Sequence, residues 1–283
     1  MLGELAERDA AGEIAAIYAE IRRLWAVPYV SSLQRHLASR PGWLEWVWAA
    51  LHPVFADGRA QTAAWQAVAL VDVPRLAPIA RDALRVWGVD AAGEATIRAV
   101  CESFVRVSPV NLVLSGLLRR LLDGERPHAV ERPQAEPRGS DAWTPPPPLP
   151  PLPALADIGR LSPFERSVLL SLGTRVGDEP FVPGLYRMLA GWPAFLAHLA
   201  TALRPVMEAP ETHAAYAGVN AAIDARIPAL FAELPALPAE PPAPPAADVP
   251  GVLAALDTYR RTSPEMVVVG RVIERALPAL TGA

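Results

Sequence analysis

Three carboxylates stand out as groups able to take a proton from water: Asp178 and Glu179, in the stretch VGDEPFVPGLYR, and Glu265, which follows Ser263-Pro264. General-base work of that kind needs a carboxylate or imidazole within hydrogen-bond reach of the nucleophile. Each acid also has a plainer reading. Asp178 and Glu179 fit a solvated loop with acids near the positive end of the next helix, and Glu265 fits a first helical turn whose dipole it complements. Tyr29, Tyr186 and Tyr259 read either as pocket-lining phenols or as core aromatics whose hydroxyls reach the surface. Asn111 lies one helical turn beyond Ser108 on the same face. It either presents an amide to a ligand or satisfies buried backbone.

Other chemistries find no support. His36, His52, His128, His198 and His213 show neither HxxxH nor HExxH spacing, so no metal site is expected. No serine sits in a G-x-S-x-G turn. The single cysteine, Cys101, allows no intrachain disulfide, CxxC redox pair or cysteine-rich zinc site, and reads as an inert core thiol. All 26 basic residues are arginine, which excludes a Schiff-base lysine and a phosphate loop ending in Gly-Lys. A net charge of −4 argues against a nucleic-acid partner, which calls for a basic stripe. Glu4, Glu7, Asp9 and Glu13 make the N-terminus unlike a secretory signal, and apolar runs such as Val110 to Leu118 are too short to cross a bilayer. The expectation is a cytoplasmic enzyme or binding protein without a membrane partner.

The elements that must position these groups read as helices. Hydrophobic residues make up 52% of the 283 positions but aromatics only 7%, so the core is aliphatic and rich in alanine, a composition that favours helix. No segment alternates as a strand should. From Pro41 to Phe55 the apolar residues Trp43, Leu44, Val47, Trp48, Leu51, Val54 and Phe55 keep a helical period, with Pro41 in the first turn. Ser108-Pro109 and Ser263-Pro264 read as N-cap and N1, each opening an apolar final helix. The fold class is all-α.

Two stretches recur. RHLASRPGWLEWVWAALHPVF, Arg35–Phe55, aligns with RMLAGWPAFLAHLATALRPVM, Arg187–Met207, and nine positions are identical, among them Leu37/Leu189, Pro41/Pro193 and Pro53/Pro205. Phe104–Leu122 aligns with Tyr259–Leu277 through Arg106/Arg261, Ser108/Ser263, Pro109/Pro264, Val113/Val268, Arg120/Arg275 and Leu122/Leu277. We read a duplication: a first helical repeat at 1–123, a linker at 124–157 and a second repeat at 158–283. The linker carries ten prolines within 124–153 and should run as extended polyproline. Pro235 to Pro250 is expected to be a loop. Related halves tend to pack about a pseudo-two-fold axis, and the cleft of such a pseudo-dimer is a common ligand site.

With IYAEIRRLWAVPYVSSLQRHLASRPG at Ile17–Gly42, FVRVSPVNLVL at Phe104–Leu114, the proline-rich linker and LYRMLAGWP at Leu185–Pro193, nearly the whole chain resembles the group I 2-haloacid dehalogenase family, also called halocarboxylic acid dehydrogenases. The resemblance implies all-helical pseudo-dimers, often dimeric, with a pocket between the halves. Members hydrolyse both enantiomers of small 2-haloacids by direct attack of water at C2. An Asp activates that water with help from an Asn, and neither metal nor cofactor takes part.

Carried across, the activating Asp falls on Leu185, preceded by Gly184, and the Asn falls on Ser108. The aromatic pair after Val-Pro becomes Tyr29 and Ser32, and the tyrosine of the second half is Tyr259. Pocket-lining residues are then expected to be Tyr29, Ser32, Ser108, Asn111, Gly184, Leu185, Tyr186 and Tyr259. A leucine accepts no proton, so the implied mechanism is missing its base. Two functions follow: a diverged hydrolase of haloacids that uses another carboxylate, or a non-catalytic protein that keeps the cleft for a small carboxylic-acid-like or apolar ligand. An alkylhydroperoxidase-D type of peroxidase would need a paired CxxC, which one cysteine cannot supply.

Overall fold

A computed structural model describes residues 3–127, 143–176, 179–237 and 240–279, and the protein is built almost wholly of α-helices. In the first half of the chain these are α1 (Gly12–Trp25), α2 (Ser32–Ala38), α3 (Trp43–Ala56), α4 (Arg59–Ala69), α5 (Arg81–Val86) and α6 (Ala91–Leu122). The second half holds α7 (Pro163–Ser171), α8 (Gly184–Leu189), α9 (Pro193–Glu208), α10 (Pro210–Asp224), α11 (Ile227–Ala232) and α12 (Val249–Ala276). Between α7 and α8, β1 (Thr174–Val176) and β2 (Glu179–Phe181) pair antiparallel, Thr174 opposite Phe181 and Val176 opposite Glu179. This hairpin corrects the strand-free expectation. Strands of three residues are too short to display an alternation.

Two further expectations change. Helix α3 begins at Trp43 after Gly42, whose φ of +76° suits glycine, so Pro41 stands just outside the first turn. More consequential, Pro109 lies inside α6 and Pro264 inside α12, so the two Ser-Pro pairs open no helix. An interior proline removes one helical hydrogen bond and costs about 3 kcal/mol. Apolar residues buried on both sides offset that cost: Val100 and Val107 before Pro109, and Val110, Val113 and Leu117 after it. In α12 the carbonyl of Arg260, four residues before Pro264, accepts a hydrogen bond from Asn220 Nδ2 at 3.3 Å. The side-chain amide there takes the place of the N–H that proline lacks.

The chain separates into two compact units that interleave along the sequence and do not coincide with its halves. One comprises Met1–Leu70, Pro109–Leu149 and Asn220–Arg261. Its core gathers Ile21, Leu24 and Trp25 of α1 with Leu44, Val47, Leu51 and Phe55 of α3, and the rings of Trp25 and Phe55 lie 6.0 Å apart. Trp43 donates through Nε1 to Asp248, which also pairs with Arg40 at 3.1 Å. Gly58 has φ of +75°, and a Cβ there would collide with the Trp143 ring.

The other unit comprises Val71–Ser108, Pro150–Val219 and Thr262–Ala283. Ser162 caps α7 in a reciprocal box with Glu165. Helices α7, α8 and α9 pack together over Leu169, Leu189, Phe195, Leu196 and Leu199. Gly270 of α12 lets that helix approach Cys101 and Val105 of α6, where a Cβ would stand 2.9 Å from the Val105 side chain. The chain end is tied back by Ile79 N–H to the Ala276 carbonyl at 2.7 Å and by Arg98 to the Pro278 carbonyl.

Among the described residues α6 alone is long and apolar enough to cross a bilayer, and 72% of its most apolar window is buried in the protein. Residues 143–157 form neither helix nor strand. The rest of the expected polyproline stretch, from 128 to 142, lies outside the described residues, and His128 with it.

Candidate functional site

The continuity of α12 decides where Glu265 goes. A first-turn residue would face solvent beside a helix end. In the middle of a 28-residue helix, Glu265 is carried into the core of its unit and is only 9% exposed. Its neighbours on α12, Met266, Val267 and Val268, are buried too. The dipole-complement reading therefore fails, because no helix terminus is present.

Glu265 Oε1 accepts a hydrogen bond of 2.8 Å from the hydroxyl of Tyr186 on α8. Among the described residues no arginine or histidine compensates its charge. Burial disfavours the ionised form and outweighs the tyrosine hydrogen bond, so the carboxyl is pushed up to about 7. Tyr186 is itself wholly buried, and burial together with the adjacent carboxylate raises its phenol well above the ordinary range. Its oxygen also lies 3.8 Å from Met207 Sδ of α9. A second phenol completes the cluster from α10. Burial and the charge of Glu265 raise the Tyr216 phenol, and among the described residues its buried hydroxyl has no hydrogen-bond partner.

A carboxylate that titrates near neutrality, held by one phenol and unopposed by a cation, is equipped to take a proton at neutral pH. Sequence reading reached Glu265 and Tyr186 separately and gave no signal for Tyr216. Helix α10 carries no motif, and its tyrosine gains meaning only through what α12 places near it.

A second polar cluster lies in the other unit. Asn111 of α6 donates to Ser31 Oγ at 2.9 Å and accepts from Gln34 Nε2 at 2.9 Å, all three side chains being buried. Ser32 opens α2, accepts from Arg35 at 3.2 Å and shares a hydrogen bond with Tyr259 of α12. Burial raises the Tyr259 phenol. Four expected site residues, Tyr29, Ser32, Asn111 and Tyr259, belong to this unit. Asn111 spends its amide on side chains, not on backbone.

The remaining expected residues belong to the unit that holds Glu265. Ser108 is buried in α6, immediately before Pro109. Gly184 opens α8, where a Cβ would stand 3.1 Å from the ring of Phe104. Leu185 has no exposed surface and packs in the core. Glu179 forms part of β2 rather than a loop, and Asp178 lies outside the described residues. His36, His52, His198 and His213 all lie on helices. Among the described residues no group of three His, Cys, Asp or Glu side chains could hold a metal ion. Cys101 is fully buried, which raises its thiol and leaves it unreactive.

The chain matches no family profile, and no curated protein matches it. It is similar to solved structures. A D-2-haloacid dehalogenase mutant in complex with D-2-CPA aligns with a TM-score of 0.75 at 18% identity, covering 98% of this chain and 96% of that one. A structure of a D-2-haloacid dehalogenase mutant without a stated ligand gives the same figures. The D-2-haloacid dehalogenase with L-LA gives a TM-score of 0.74 at 18% identity over the same share of each chain. The protein thus has the all-helical fold of the 2-haloacid dehalogenases.

Proposed function

We propose that this protein is a cofactor-independent hydrolase of small 2-haloacids in which Glu265, not the residue at position 185, activates the water. The observation that carries the reading is the buried carboxyl of Glu265, pushed up to about 7 and hydrogen-bonded by Tyr186. The dehalogenase-like scaffold supports the substrate class, because the similar structures are of D-2-haloacid dehalogenases. The group I resemblance supports attack by water without a covalent ester.

In the reaction, ionised Glu265 takes one proton from water while the water oxygen attacks C2. The carbon–halogen bond breaks and its electron pair leaves with the halide. The product is the 2-hydroxy acid inverted at C2, and the proton passes from Glu265 to solvent. The Tyr186 hydroxyl steadies the carboxylate before transfer and keeps its pKa from rising further. Support for the duplication inferred from sequence comes from the matching prolines inside helices, Pro53 in α3 with Pro205 in α9, and Pro109 in α6 with Pro264 in α12.

Halide release from both enantiomers of 2-chloropropionate tests the proposal. The wild-type chain should release chloride with kcat/KM rising as pH passes about 7, and Glu265→Gln should lower the rate on the order of a hundred- to ten-thousand-fold. A variant as active as wild type overturns the assignment. One observation favours a second reading, a non-catalytic binder of small acids: Leu185, a wholly buried hydrocarbon, occupies the position where the resemblance puts the base. Saturable binding of 2-chloropropionate with no chloride release above buffer would establish that reading instead.

A further inference from the structure

Residues 3–9 precede α1 in the unit that holds Asn111, and none of them is buried. What fixes them is a set of polar contacts, most of them to α2. Leu5 N–H donates to the Arg35 carbonyl at 2.9 Å, and Glu4 pairs with the Arg35 guanidinium at 2.8 Å. The Gly3 carbonyl accepts from His36 Nδ1 at 2.8 Å and from Ser39 Oγ at 3.1 Å. Glu7 adds two further ties, accepting from Val30 N–H at 2.8 Å and pairing with Arg22 of α1. The same α2 supplies the second polar cluster. Its Gln34 donates to Asn111 at 2.9 Å, and Asn111 donates to Ser31, the residue before its first turn, at 2.9 Å. Arg35 joins the two sets, since it also donates to Ser32 Oγ at 3.2 Å. A helix of seven residues is too short to hold itself and depends on its tertiary partners. Those partners are the core, through the buried Leu33 and Leu37, and the segment 3–9. A segment with few buried apolar contacts opens at a lower free energy than the fold as a whole.

We propose that residues 3–9 form a detachable strap that holds α2 in place, and that undocking of the strap is the event that loosens the Asn111 cluster. Glu7 is its main fastening, because one side chain joins α1 to the chain entering α2. Docked, the strap fixes Arg35 and through it Ser32; released, α2 keeps only its two leucines in the core, and the side chains of Ser31, Ser32 and Gln34 become free to part from Asn111 and Tyr259. The strap is therefore a conformational device of this unit, and it stands whether or not haloacids are hydrolysed.

Amide hydrogen exchange of the full chain, wild type against Glu7→Ala, tests the device. Three amides report on it: Leu5, bonded to the Arg35 carbonyl; Arg35, bonded to the Ser31 carbonyl; and Val47 in the middle of α3. In Glu7→Ala the Leu5 and Arg35 amides should exchange about tenfold faster, the lower range for a hydrogen bond to a charged group because Glu7 is partly exposed, while Val47 keeps its wild-type rate. Faster exchange at Leu5 with Arg35 unchanged overturns the proposal, because the strap would then detach without holding α2. Equal acceleration of Val47 also overturns it, since the opening would be that of the whole unit, and so does a variant in which no rate changes. Should Glu7→Ala fail to fold, exchange of the wild type in low urea decides the same point. Leu5 and Arg35 should report one shared opening, easier than that of Val47; separate openings for the two amides refute the coupling.

Discussion

Replacing Glu265 by glutamine tests the electrostatics of the cluster without any assumption about substrate. Glutamine keeps the size of the side chain and an oxygen able to accept from Tyr186, but it cannot ionise. Wild-type Glu265 moves from 4.5 in the ordinary case to about 7 in the fold. At about 1.4 kcal/mol per unit, this displacement is worth about 3 kcal/mol. The sign follows from the direction. Folding raises the proton affinity of the group, so its favourable contribution is complete below pH 4.5 and is lost as pH rises through about 7. Urea unfolding of both proteins at a series of pH values measures the effect, and subtracting one curve from the other removes every other titrating group. Between about pH 4.5 and pH 8 the wild type should lose about 3 kcal/mol relative to Glu265→Gln. Parallel curves would refute the reasoning. They would mean that the carboxyl is as well solvated in the fold as in the unfolded chain, and the base assignment would fall with it.

Two other outcomes follow from single contacts. Leu185→Asp places a charge where no surface is exposed, so it should destabilise the protein by about 3–5 kcal/mol in urea unfolding at neutral pH and should not raise halide release. Asn220→Ala removes the donor that satisfies the Arg260 carbonyl ahead of Pro264, and should cost about 1 kcal/mol by the same measurement. Little change there would mean that solvent serves the carbonyl equally well.

The Ser-Pro pairs illustrate where sequence reading reached and where it stopped. N-cap followed by N1 is a local pattern, and Ser263-Pro264 satisfies it as well as a true helix start does. Whether a helix begins there or runs through depends on whether apolar residues on both sides are buried, and on a donor for the stranded carbonyl. That donor, Asn220, is 40 residues from Arg260 in the chain. The difference reaches function: a first-turn Glu265 would complement a helix dipole, whereas the folded chain holds it in a buried mid-helix segment. The hairpin of β1 and β2 escaped notice for a different reason, its strands being shorter than any period.

What the sequence determined by itself was composition and period: an all-α chain with apolar stripes on α3, a reactive inventory without lysine, paired cysteines or metal-ligand spacing, and a resemblance that named the fold. These properties are carried by neighbours within a few turns, so they can be read without coordinates. Only the tertiary structure decided which carboxylate is buried and what surrounds it. Glu265, Tyr186 and Tyr216 come from three helices, and the acidity of a carboxyl depends on the water and charge within a few ångströms of it, which chain order does not encode.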